Sequence, residues 1–148
     1  MDTPAPLAPI EYNESNQIDN NLKIIKKEYK IKKNEKIYNL IISKDNEYIY
    51  FKIYKLNELI SIYYKNKFDL KNIINILNLS THLYDNLDKV IELIDECYKN
   101  KKILINEEKD NKMYLIIKYM IGFKEHEFLI VLKKEELDIN EKFEIIFN

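Results

Sequence analysis

The single glycine of the 148-residue chain, Gly122, stands between two long apolar runs, and this placement constrains the fold more than any other feature. Met113 to Ile121 and Glu125 to Lys133 both read as strands flanking Gly122-Phe123. A two-residue loop with glycine first suits the mirror-image turn whose twist matches a hairpin, because glycine alone takes positive φ without steric cost. The spacing therefore predicts a long antiparallel hairpin with its tip at residues 122–123.

Other runs fit around that hairpin. Glu47 to Lys55 alternates, with Ile49, Phe51 and Ile53 on one face and Tyr48, Tyr50, Lys52 and Tyr54 on the other. Period two over nine residues is the pattern of a half-buried strand. Lys36 to Ser43 precedes it across the turn signal Lys44-Asp45-Asn46, so these two also form a hairpin. Leu22 to Lys33 gives a first strand, Leu59 to Lys65 a fourth, and Ile103 to Ile105 a short one.

Between these strands the period changes. Asp69 is placed to cap a helix carrying Leu70, Ile73, Ile74 and Leu77. Asp85 with Asp88 resembles a capping box ahead of Leu87, Val90, Ile91, Ile94, Cys97 and Tyr98. Ile139, Phe143, Ile146 and Phe147 repeat helical spacing at the end. Strands joined by tight turns pair antiparallel. The expected class is α+β: an antiparallel β-sandwich or curled sheet with an inserted helix pair and the start of a C-terminal helix. Residues 1–20, with three prolines in the first nine positions, read as a flexible arm, 21–136 as the head domain, and 137–148 as the helix start.

The chemistry is sparse. The formal charge is −1, with 24 basic residues (all lysine) against 25 acidic ones, which argues against a globally basic nucleic-acid binder. One glycine cannot build a glycine-rich phosphate loop. One cysteine, Cys97, cannot form an internal disulfide, as in a reducing cytosolic setting. No stretch approaches the ~18 apolar residues of a membrane span, and the first residues do not read as a secretory signal. His82 and His126 lack a second ligand at metal spacing. The expectation is no enzyme, no metal and no cofactor.

Four features remain that could carry function. Lys23, Lys26, Lys27, Lys30, Lys32, Lys33 and Lys36 form a basic group that reads either as protection of a strand edge or as a phosphate-reading strip, with Tyr29 and Tyr38 to stack. Carboxylates Asp88, Glu92, Asp95 and Glu96 look like the solvated face of a helix. His126, alternating with Phe128, reads as a packed or edge histidine. Phe123, at the hairpin tip, either anchors a partner or folds back onto its own molecule.

Three segments carry a family resemblance: Phe68-Asp69-Leu70, the run Leu87 to Cys97, and Met120-Ile121-Gly122-Phe123-Lys124-Glu125-His126-Glu127-Phe128. Over residues 36–135 the chain resembles the N-terminal head of the centriolar cartwheel protein, spindle assembly abnormal six, whose fold is shared by end-joining DNA-repair scaffolds. In that family the hairpin phenylalanine enters a hydrophobic pocket of a second head, and coiled-coil tails pair the chains. The resemblance implies assembly: Phe123 as anchor, Lys124 beside it, and weak head-to-head dimers in a cytoplasmic, cytoskeletal or centriolar setting. No heptad run lies in the last residues up to Asn148, and the receiving pocket is not assigned. The rival reading is a repair-type scaffold that meets nucleic acid through Lys26, Lys27, Lys30, Lys32 and Lys33.

Overall fold

The computed structural model describes residues 17–19, 24–56 and 62–136. In chain order the elements are β1 (Gln17–Asp19), β2 (Ile24–Lys33), β3 (Lys36–Lys44), β4 (Tyr48–Lys55), β5 (Ile62–Asp69), α1 (Leu70–Leu77), α2 (Leu87–Lys99), β6 (Ile103–Lys109), β7 (Lys112–Ile121) and β8 (Lys124–Glu136). All the strands join one antiparallel sheet in the order β1-β2-β3-β4-β5-β8-β7-β6. The outcome is thus the curled sheet with an inserted helix pair, and not a sandwich of two sheets.

Turn chemistry explains the local connections. Asn34 and Glu35, between β2 and β3, both take positive φ, as do Asp110 and Asn111 between β6 and β7. Two successive left-handed residues make the turn that twists with its strands, and Asn and Asp tolerate that region best after glycine. Gly122 has φ +64 while Phe123 keeps negative φ, which is the glycine-first version expected from the sequence.

The β3–β4 connection is held differently. The Asp45 carboxylate accepts from the amides of Glu47 and Tyr48, both at 2.8 Å, and from the Tyr50 hydroxyl at 2.5 Å. The Tyr50 hydroxyl and these amides hold the Asp45 carboxyl below the usual carboxylate range. The same bond pushes the Tyr50 phenol up to about 12.

Burial follows the period. Ile49, Phe51 and Ile53 are fully buried, and the tyrosines opposite are half-buried. β7 places Met113, Leu115 and Ile117 in the same core, and β8 adds Ile130 and Leu132. α1 contributes Ile73, Ile74 and Leu77, and α2 contributes Leu87, Val90, Ile91, Ile94 and Cys97. Asp69 caps α1 as expected, accepting from the Asn72 amide at 2.8 Å. The cap of α2 is a correction: Asn86, not Asp85, accepts from the Lys89 amide at 3.0 Å. Asp85 instead pairs with Lys89 at 3.0 Å from outside the helix.

Other boundaries move as well. The fourth strand runs Ile62–Asp69 where Leu59 to Lys65 was expected, with 57–61 outside the described residues. The short strand at Ile103 continues to Lys109. Gln17–Asp19, at the end of the stretch read as an arm, pairs with Ile24 to Lys26. Residues 1–16 and the expected helix over 137–148 lie outside the described residues.

The curled sheet brings its two sides together over α2. The Tyr29 hydroxyl of β2 donates to Asp95 at 2.9 Å, and Lys27 lies 3.7 Å from the same carboxylate. Tyr98 donates to the Lys30 carbonyl at 2.8 Å and meets the Tyr29 ring at 4.6 Å. Partial burial of Asp95 works to raise its pKa, but bonds from Lys99 and Tyr29 prevail and hold it low.

A prediction follows from Asp45. Its folded carboxyl titrates below the unfolded one, so its contribution is complete above pH ~4 and fades as pH falls through the depressed folded value. Urea denaturation should find Asp45→Asn less stable by about 0.5 kcal/mol at pH 7, a figure reduced for solvent screening. The deficit should close progressively below pH 4.

Candidate functional site: the projecting hairpin

β7 and β8 pair over their whole facing length, from Lys112↔Lys133 to Ile121↔Lys124. Their neighbours stop earlier. β6 accompanies β7 from Lys112 to Ile117, with one further bond from the Lys118 amide to the Lys102 carbonyl at 2.9 Å. β5 accompanies β8 only over Lys133 to Glu136. From Glu127 to Leu132 β8 is therefore the open edge of a three-stranded stretch, and only Tyr119–Ile121 with Lys124–His126 form a two-stranded tip without a neighbour on either side.

An isolated ribbon is marginally stable, so its bracing matters. The Tyr119 hydroxyl donates to the Leu77 carbonyl at the end of α1, and its ring stacks on Phe128 at 5.0 Å. Burial pushes the Tyr119 phenol up to about 12. Lys102 reaches Glu125 at 2.7 Å, and Lys118 meets Glu127 across the rung at 3.3 Å. The Lys102 ammonium, hydrogen-bonded to it, holds the Glu125 carboxyl below the usual range. His126 lies beside Phe128, with ring centres 6.2 Å apart.

Above these braces the surface is apolar and uncovered. Met120 and Ile121 are exposed, and Phe123 is 103% exposed, with no contact that shields the ring. Lys124 is exposed beside it. Of the two expectations for Phe123, the outward one describes its position. A fully exposed phenyl ring adds nothing to the core and keeps its hydrophobic surface available, which is worth ~1.5–3 kcal/mol when buried elsewhere.

The basic group of β2 does not make one strip. Successive strand residues point to opposite faces, which places Lys26, Lys30 and Lys32 on one face and Lys27 and Lys33 on the other. Lys27 is engaged with Asp95. Lys30, Lys32 and Lys33 line a cleft of about 730 Å³ between β2 and β6, with Lys99 and Lys101 across it. Lys26 borders a different groove, of about 760 Å³, over the middle of the sheet.

Nucleophilic chemistry has little to start from in this region. Cys97 is buried in the α2 face, and burial pushes its thiol up to about 11, so it carries almost no thiolate at neutral pH. Among the described residues, no group of three or more His, Cys, Asp or Glu could hold a metal ion. No helix among them is long and apolar enough to cross a membrane.

Gly122 supplies the next test. A Cβ there would meet nothing within 4 Å, so any penalty is backbone strain at φ +64. Gly122→Ala should cost about 1 kcal/mol in urea denaturation, and Gly122→Asn less, because asparagine enters the left-handed region more easily. Equal stability of all three chains would contradict the turn as described.

No family model matches the sequence, and no curated protein resembles it at a significant level. Among solved structures, the fold is similar to the head domain of human CCDC61. The TM-score is 0.56, covering 75% of this chain and 97% of that one, at 9% identity. At that identity the likeness carries the fold alone. It supports a related head-domain fold, and does not by itself reach the narrower resemblance to the cartwheel head.

Proposed function

We propose that this domain is a non-enzymatic head for self-association or protein interaction, with Phe123 as its anchor and Lys124 as the flanking contact. The observation that supports this reading is a phenyl ring fully exposed at the end of a braced ribbon. Unfavourable exposure of a large aromatic residue has no folding benefit, whereas aromatic anchors in a partner's pocket dominate interface energies. The similarity to the head domain of CCDC61 adds a fold of the same kind. The finer setting, assembly of a centriolar or cytoskeletal structure in the cytoplasm, rests on the sequence resemblance to the cartwheel head.

One ring buried in one pocket gives a weak contact. Such contacts become effective when chains are linked, because the second binding event is then intramolecular. A coiled-coil pairing of parent chains would supply that linkage, as it does in the family the sequence resembles. For the nucleic-acid alternative, Lys27 is committed to Asp95 and Lys26 borders a separate groove, while Lys30, Lys32 and Lys33 still share a cleft with Lys99 and Lys101.

Sedimentation velocity over a concentration series tests the proposal. The unaltered chain should show reversible, weak dimerisation, and Phe123→Glu should sediment as a monomer throughout. The substitution should change folding stability by less than about 0.5 kcal/mol, because the ring touches nothing that holds the fold. Identical sedimentation of the two chains, together with equal capture of any partner found for the domain, would remove the anchor role.

A further inference from the structure

The register of the sheet aligns lysines that lie far apart in sequence. Lys52 of β4 pairs with Lys65 of β5, Lys65 with Lys133 of β8, Lys133 with Lys112 of β7, and Lys112 with Lys109 of β6. Paired residues on adjacent strands share a face, so five ammonium groups form one row across five strands. At the ordinary spacing between strands the row spans about 19 Å. Lys65, Lys133, Lys112 and Lys109 are exposed and Lys52 is half-buried.

Like charges directly opposite one another destabilise a sheet. A composition rich in lysine explains many exposed lysines, but it does not explain four successive rungs of lysine against lysine. Glu135 reaches the row, 3.5 Å from Lys65. The groove of about 760 Å³ lies along the same face, where Lys52, Lys65 and Lys133 are joined by Lys26 and Lys67. Thus two independent observations, the register and the concavity, put concentrated positive charge in one place on a chain whose net charge is −1.

We infer that this face docks an acidic, extended segment of a partner protein. Two tyrosines beside the row favour an acidic peptide over a nucleic acid, while Tyr50 in the groove packs against Tyr48 at 6.2 Å. Lys52 lies over the Tyr63 ring at 4.3 Å and Lys67 over the Tyr48 ring at 4.4 Å, so these faces are covered by ammonium groups and do not offer a stacking platform for bases. The row is also short. It gives way to Ile41 of β3 and Glu28 of β2 in the next rungs, which limits the match to a few carboxylates and would repel a long polyanion that continued across the sheet. The inference is separate from the Phe123 anchor, which lies at the other end of the β7–β8 ribbon.

The test is fluorescence anisotropy with a fluorescein-labelled peptide of ten glutamates, titrated with the full chain at low salt. A ten-glutamine peptide, a twenty-base oligothymidine and a twenty-base-pair duplex are the comparison probes. The glutamate peptide should bind, weaken as salt rises, and bind at least 10-fold less well to the triple variant Lys65→Gln, Lys112→Gln, Lys133→Gln. Thermal melting should show that variant as stable as the parent or more so, because opposed ammonium groups have been removed. The single variant Lys109→Gln, next to a surface turn, should weaken binding several-fold on its own. Phe123→Glu should bind the peptide as the parent does, which separates this inference from the anchor. Absence of peptide binding, equal binding by the triple variant, or tighter binding of either nucleic acid would overturn it.

Discussion

The pairing of β5 with β8 is the join on which the molecule depends. Four rungs, Ile62↔Glu136 to Lys65↔Lys133, connect a meander built from the first half of the chain to one built from the second. The Asn66 side chain reinforces the join by donating to the Val131 carbonyl at 2.9 Å. All other strand neighbours are consecutive in sequence. Among the described strands, only this pairing joins neighbours that are not consecutive, and α1, α2, β6 and β7 all lie in the stretch of chain it closes. The apolar faces of α1 and α2 pack with the inner face of the sheet in one core, so the helices close that core. Because β5 accompanies β8 only near its C-terminal end, the same join leaves the other end of the β7–β8 hairpin without a neighbour.

That asymmetry separates what the sequence revealed from what it hid. Gly122-Phe123 was legible because one residue type answers the demand for positive φ and the flanking runs are long. The alternation of Ile49, Phe51 and Ile53 was legible because burial on one face leaves a period of two. Asp69 was legible as a cap, while Asp85 misled: both Asp85 and Asn86 are good capping types, and adjacency in sequence does not say which one adopts the extended backbone just before the helix. The turn at Asn34-Glu35 was not read from the sequence, because glutamate seldom takes φ of +67. Where the hairpin loses its neighbours was not legible, although the outward tip was one of two expectations. That point depends on where β5 and β6 end relative to β7 and β8, which is a property of non-local register.

The lysine row was hidden for the same reason. Lys52, Lys65, Lys109, Lys112 and Lys133 are unremarkable in a chain with 24 lysines, whereas the cluster Lys23 to Lys36 draws attention by proximity. Pleating divides the cluster, and pairing assembles the row. Local density of one charge is therefore a poor guide in an antiparallel sheet. Side chains two residues apart share a face at nearly 7 Å, but side chains on adjacent strands share one at less than 5 Å, whatever their separation in sequence. Tyr119 belongs to the same class of hidden feature: its hydroxyl bond to the Leu77 carbonyl links residues 42 apart and ties the hairpin to the end of α1.

The two exposed features lie at opposite ends of one pair of strands. From Lys112 to Ile121, β7 spans about 30 Å of extended backbone, with the lysine row at one end and the phenyl ring at the other. A partner at the tip would therefore not obstruct a partner on the row. Their energetics also differ. Burial of an aromatic ring is insensitive to salt, whereas contacts among exposed ammonium and carboxylate groups weaken over a Debye length of about 8 Å at physiological ionic strength. Under the two proposals the β7–β8 hairpin, flanked by β6 and β5 at its base, would carry a salt-insensitive contact at its tip and a salt-sensitive one at its base.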